Sequence, residues 1–82
     1  MASQIFLLFR ANYIDYAGRL RWLTVEFLIG HDGRLYFRCT IDGEDSYTIR
    51  IAEDDQWYDQ AEGPTVLADE LGSIIESKLF QA

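Results

Sequence analysis

The residues able to do nucleophilic or acid–base chemistry in this sequence are few and scattered. His31, the single histidine, lies beside Asp32 in a short polar stretch, where it reads as a solvated turn residue with no nucleophile nearby in sequence. Cys39, the single cysteine, alternates with Phe37 and Ile41. That pattern makes it a small buried hydrophobe, not an exposed thiol of low pKa. Ser3, Ser46, Ser73 and Ser77 have no base within sequence reach, and the chain has no Gly-rich phosphate loop, Cys-x-x-Cys or His-Glu-x-x-His. Paired carboxylates are plentiful, but acid–base catalysis also needs a concave, partly dry pocket, which so short a chain seldom makes. The expectation is a protein that is not an enzyme and carries no cofactor.

Metal chemistry fares no better. One cysteine excludes an intramolecular disulfide scaffold and a Cys-rich zinc site. The acidic run from Asp54 to Glu62 lacks the alternating oxygen ligands and the turn glycine of a calcium loop. No metal site is expected, and the acids read first as solvated loop residues.

The elements that must position these residues follow from composition and periodicity. The chain has 82 residues, 49% of them hydrophobic and 15% aromatic, with six Gly and one Pro. That is enough apolar content for one folded domain over residues 1–82, and it excludes a disordered chain. Residues 1–4 carry no basic leader, and the apolar stretch Ile5–Phe9 is too short for a signal or membrane segment. With a free thiol, the default location is cytoplasmic, away from membranes.

Strand signals cover residues 4–14, 19–29, 34–41 and 46–51, and a helical repeat of Leu67, Leu71, Ile74, Ile75 and Leu79 covers 65–80. Hairpin loops at 16–18, 31–33 and 43–45 keep one face apolar throughout, whereas a one-residue slip would scramble the faces. Gly18 and Gly33 then stand where a left-handed residue closes the turn, and Asp45 takes that place in the third loop. The pairing sets Phe9 beside Val25, Leu7 beside Phe27, Val25 beside Cys39 and Cys39 beside Ile49. Pro64 suits the first turn of the helix, and Gly72 exchanges helix propensity for close approach to the sheet. The expected fold is α+β: a four-stranded antiparallel meander with one C-terminal helix packed on one face, ββββα.

The other face should be polar if it meets only water. Instead it is expected to carry Phe6, Leu8, Trp22, Leu28 and Tyr36 together with Arg10, Arg34, Arg38 and Arg50, and Glu26 sits among the arginines. Apolar residues ringed by arginine suit a protein interface. The expected partner is a second copy of the chain or an unknown basic protein. The basic partner would meet a second surface, the acidic loop of Asp54, Asp55, Trp57, Tyr58 and Asp59. Two alternatives use the same residues. Segment 52–64 would fold over the outer face, with Trp57 and Tyr58 covering it. Otherwise the arginines and aromatics would bind single-stranded nucleic acid.

Charge separates these readings. The chain carries a net −7, but residues 1–41 hold five Arg against three acids, while residues 42–82 hold eleven acids against two bases. The mean opposes nucleic acid, and the cationic half lies on the sheet.

Overall fold

The computed structural model describes residues 5–79. Five strands, β1 (Ile5–Ile14), β2 (Leu20–Ile29), β3 (Leu35–Ile41), β4 (Asp45–Ile51) and β5 (Trp57–Asp59), precede one helix, α1 (Val66–Leu79). The sheet is antiparallel throughout, and strand order follows chain order. The α+β class, the meander and the C-terminal helix are as the patterning predicts. The strand count is not, because the connector contributes a fifth strand.

The first two hairpins close as their glycines require. Gly18 and Gly33 have φ of 81° and 78°, and the backbone pairs Asp15 with Arg19 and Gly30 with Arg34. β2 and β3 then run in the expected register, with Phe27 beside Phe37 and Val25 beside Cys39. The third hairpin turns one residue earlier than expected. Asp42 and Gly43, with φ of 55° and 72°, occupy its two left-handed positions, so Cys39 pairs with Tyr47 and Phe37 with Ile49. Asp-Gly is the dipeptide that fits a turn needing positive φ twice, and Asp45 instead begins β4. The pairing moves by two residues, so every side chain keeps its face.

β1 departs from expectation in a way that does change faces. From Ile14 to Phe9 it pairs with β2 as predicted, but the register shifts between Leu7 and Phe9. Leu8 is an extra residue at a β-bulge, and both Leu8 and Phe9 pack against the core. Beyond the bulge Phe6 pairs with Phe27, and their rings stack at 5.2 Å on the helix side. Ile5 and Leu7 move to the outer face, beside Leu28 and Glu26.

The core lies between the sheet and α1. Leu23, Val25, Cys39 and Ile49 from the strands and Leu71 and Ile75 from the helix are fully shielded from solvent. Burial pushes the Cys39 thiol up to about 12, which keeps it protonated. α1 starts where the Thr65 hydroxyl accepts the Ala68 N–H at 2.9 Å, so Pro64 precedes the cap and is not part of the first turn.

Trp57 fixes how the helix sits. β5 pairs it with Ile51 on the inner face, where it is 5% exposed, lies 5.6 Å from the Phe37 ring and donates its indole N–H to Glu76 at 2.7 Å. The helix meets this ring at Gly72, where an added Cβ would stand 2.2–2.4 Å from three indole carbons. Gly72 is therefore the residue that allows close approach, as its place in the apolar stripe suggests. Replacing Gly72 by Ala should destabilise the fold by about 1–3 kcal/mol through overpacking, against a helix-propensity gain of about 1 kcal/mol. Denaturant unfolding checks this, with the exposed Ser73→Ala as control; a more stable Gly72→Ala protein would refute the tight contact.

Candidate interaction surface

The outer face is built by alternation along each strand. It carries Ile5, Leu7, Arg10, Asn12 and Ile14 from β1, Leu20, Trp22, Thr24, Glu26 and Leu28 from β2, and Tyr36, Arg38 and Thr40 from β3. Thr48 and Arg50 of β4 and Tyr58 of β5 complete it. Of the expected apolar residues, Trp22 and Leu28 lie there. Phe6 and Leu8 do not, because the bulge turns them toward the core, and Ile5 and Leu7 take their place.

At the turn end of β1 and β2 the face is openly apolar. Ile14 pairs with Leu20, Trp22 stands two residues along the same face, and the three are 61%, 67% and 46% exposed. This group is contiguous, unlike the single apolar residues scattered over ordinary surfaces.

The middle of the face is cationic, and its charges are partly engaged. Arg38 donates through Nε and Nη2 to the same Glu26 oxygen, at 3.0 and 2.9 Å. Arg34 comes within 3.9 Å of Asp32, and Arg50 lies 5.8 Å from the centre of the Tyr58 ring. The shift in the third hairpin sets Thr48 beside Arg38, so Arg50 stands farther along β4 than the expected arginine row would have it. Arg10 is exposed. Tyr36, expected as an open platform, is 9% exposed and packs over Gly30, where an added Cβ would meet its ring at 2.5 Å. Its hydroxyl donates to Asp32 at 2.7 Å, which holds the Asp32 carboxyl below its ordinary value.

The acidic loop has a structural task of its own. Asp59 is 8% exposed and accepts the Ala61 and Glu62 N–H groups, closing the turn that leads to the helix. Asp54 accepts the Gln56 N–H and the Tyr58 hydroxyl, and Asp55 adopts φ of 63° at the preceding turn. Trp57 lies in the core. Segment 52–64 therefore extends the sheet instead of covering it: Trp57 points under the helix, Tyr58 joins the outer face, and Gln60 borders it beside Thr48 and Tyr36. Glu53, Asp54 and Asp55 remain exposed at the rim. Neither β5 nor the bulge is marked in the sequence, since three residues among acids and five consecutive apolar residues show no clear period.

One further cluster organises the turn end. Arg21 donates through Nε to Asp15 at 2.9 Å and through Nη1 to Asp42 at 2.7 Å, tying the first hairpin turn to the third. Asp15 also accepts the Arg19 and Ala17 N–H groups, and Asp42 accepts the Trp22 N–H. Nothing local in the sequence marks Arg21, whose partners are six and 21 residues away.

Among the described residues no group of three or more His, Cys, Asp or Glu converges as a metal site, and no helix is long and apolar enough to cross a membrane.

The two aspartates make stability depend on pH. Asp15, chiefly through the Arg19 N–H and then Arg21, and Asp42, chiefly through the Trp22 N–H and then Arg21, are held below the ordinary 3.8. The unfolded chain therefore takes up protons first as pH falls. Their stabilisation is complete above 3.8 and is lost as pH drops through the lower folded values. Urea unfolding should show stability declining below that pH, and Arg21→Gln should be less stable at neutral pH with a shallower acid decline. An unchanged slope in that variant would remove Arg21 from the account. Compared with known proteins, the chain matches no family model, no curated protein and no solved structure.

Proposed function

We propose that this protein is an interaction domain that docks through the outer face of its sheet, with a second copy of itself as the occupant. The observation that carries the reading is the exposed Ile14–Leu20–Trp22 group at the turn end of that face. Apolar and aromatic residues with arginine nearby are what protein interfaces favour.

Self-pairing suits the local charge. Arg21, which lies on the opposite face of β2, is satisfied by Asp15 and Asp42 within the chain and brings no free charge to this group. A two-fold contact centred between Ile14 and Leu20 sets Ile14 of one chain against Leu20 of the other, and the reverse, and leaves Arg10 at the rim. The exposed acids of the 53–55 turn lie at the other side of the sheet, next to β5, and Asp42, which accepts the Trp22 N–H beside the contact, is paired with Arg21.

The same geometry supports single-stranded nucleic acid less well. Tyr36 is covered, Arg38 is committed to Glu26, and Trp22 stands at the far end from Arg34 and Arg50. A basic partner at the acidic loop loses its aromatic anchor, since Trp57 is in the core, and keeps only the rim charges.

Molecular mass measured by sedimentation over a wide concentration range should rise from one chain toward two. Leu20→Lys with Trp22→Lys should hold the protein at one chain and leave its circular dichroism unchanged. A single-chain mass at every concentration would overturn self-association. Arg38→Glu with Arg50→Glu tests the nucleic-acid reading: the dimer should persist, and binding of an oligonucleotide that these changes abolish would favour that reading instead.

A further inference from the structure

The inner face carries a cavity that the docking surface does not use. A helix of 14 residues is roughly 21 Å long, whereas ten-residue strands span roughly 33 Å, so α1 leaves the sheet uncovered at its ends. At the helix N-terminal end this leaves an open hollow of about 550 Å³, floored by Tyr13, Ile41 and Tyr47 and walled by Leu67, Glu70 and Asp45. The Asp15–Arg21 pair lies at its margin. Its size is that of a small-ligand site.

The charge in this hollow is unbalanced. Asp15 is neutralised by Arg21, but among the described residues neither Glu70 nor Asp45 joins an ion pair. One Glu70 carboxylate oxygen, Oε1, is shielded from solvent and has no hydrogen-bond donor. A shielded carboxylate oxygen without a donor is costly, and a ligand N–H group toward which the Glu70 side chain turns recovers that cost. Tyr13 is held as a neutral phenol by its own burial and by the Glu70 charge, and it lines the hollow together with that carboxylate. Aromatic rings and an unpaired carboxylate over an apolar floor form the surroundings in which organic cations bind.

We propose that this cavity binds an organic cation, an ammonium or guanidinium group on a hydrocarbon stem. The cation sits against Glu70 and Tyr13, and the stem lies along Ile41, Tyr47 and Leu67. The site is independent of the outer face, because it opens on the opposite side of the sheet.

Titration of the full chain followed by amide NMR tests this with benzylammonium and agmatine as probes and with benzyl alcohol and benzoate as controls at matched ionic strength. Saturable shifts should centre on Tyr13, Tyr47, Leu67 and Glu70, and benzyl alcohol should bind at least about tenfold more weakly. Glu70→Gln should weaken the cations by a similar factor while leaving benzyl alcohol unchanged. A capped tripeptide with a central arginine distinguishes the source: tighter binding than agmatine makes the ligand a protein side chain, and weaker binding makes it a free small molecule. The absence of saturable shifts with every cation would overturn the proposal. So would equal binding of benzyl alcohol and benzylammonium by the unaltered chain, a comparison that needs no variant to fold.

Discussion

The contact between the Trp57 indole and the backbone at Gly72 is the constraint on which the rest of the fold depends. One helix has to close the core of a five-stranded sheet, so its distance from that sheet decides how much surface is shielded. Gly72 allows the helix down onto the ring, and the indole N–H finds Glu76 on the same helix. Trp57 in turn draws its own short segment into the sheet beside Ile51. Without that anchor, three residues flanked by acids have little reason to pair as a strand. The helix, the fifth strand and the buried turn at Asp59 thus stand together.

Much of the fold is legible in the sequence because side-chain parity survives small errors. The third hairpin turns at Asp42 and Gly43, not at the expected 43–45, yet the two-residue change of register leaves Phe37, Cys39 and Ile49 on the face assigned to them. A bulge is the opposite case, because one inserted residue reverses everything beyond it. Ile5 to Phe9 are all apolar, so the run itself does not show where its alternation breaks. That is why Phe6 and Leu8 read as outward residues. The role of Trp57 was hidden for a related reason: its surroundings in sequence are acidic, and its apolar neighbours come from β3 and the helix.

The polar half of the chain shows how acids serve a fold without forming a site. Asp15, Asp32, Asp54 and Asp59 each accept at least one backbone N–H in a turn, whereas Asp42 accepts that of Trp22 in β2. Short carboxylates suit this task because they reach backbone donors one to three residues ahead. An abundance of aspartate in a small protein of many turns is therefore first a statement about turns. The acids left over, Glu70 above all, are the ones whose chemistry is unspent.

The bulge at Leu8 bears on a hazard peculiar to open sheets. β1 is ten residues long and lies at the sheet edge, whereas the opposite edge is the three-residue β5. An unbroken apolar strand in that position is a template on which a further chain can add, and then another, without limit. The extra residue interrupts the regular spacing of backbone donors and acceptors next to the most apolar part of β1, and it increases the local twist. The same irregularity that turns Ile5 and Leu7 to the outer face therefore guards the protein against polymerising along its own edge.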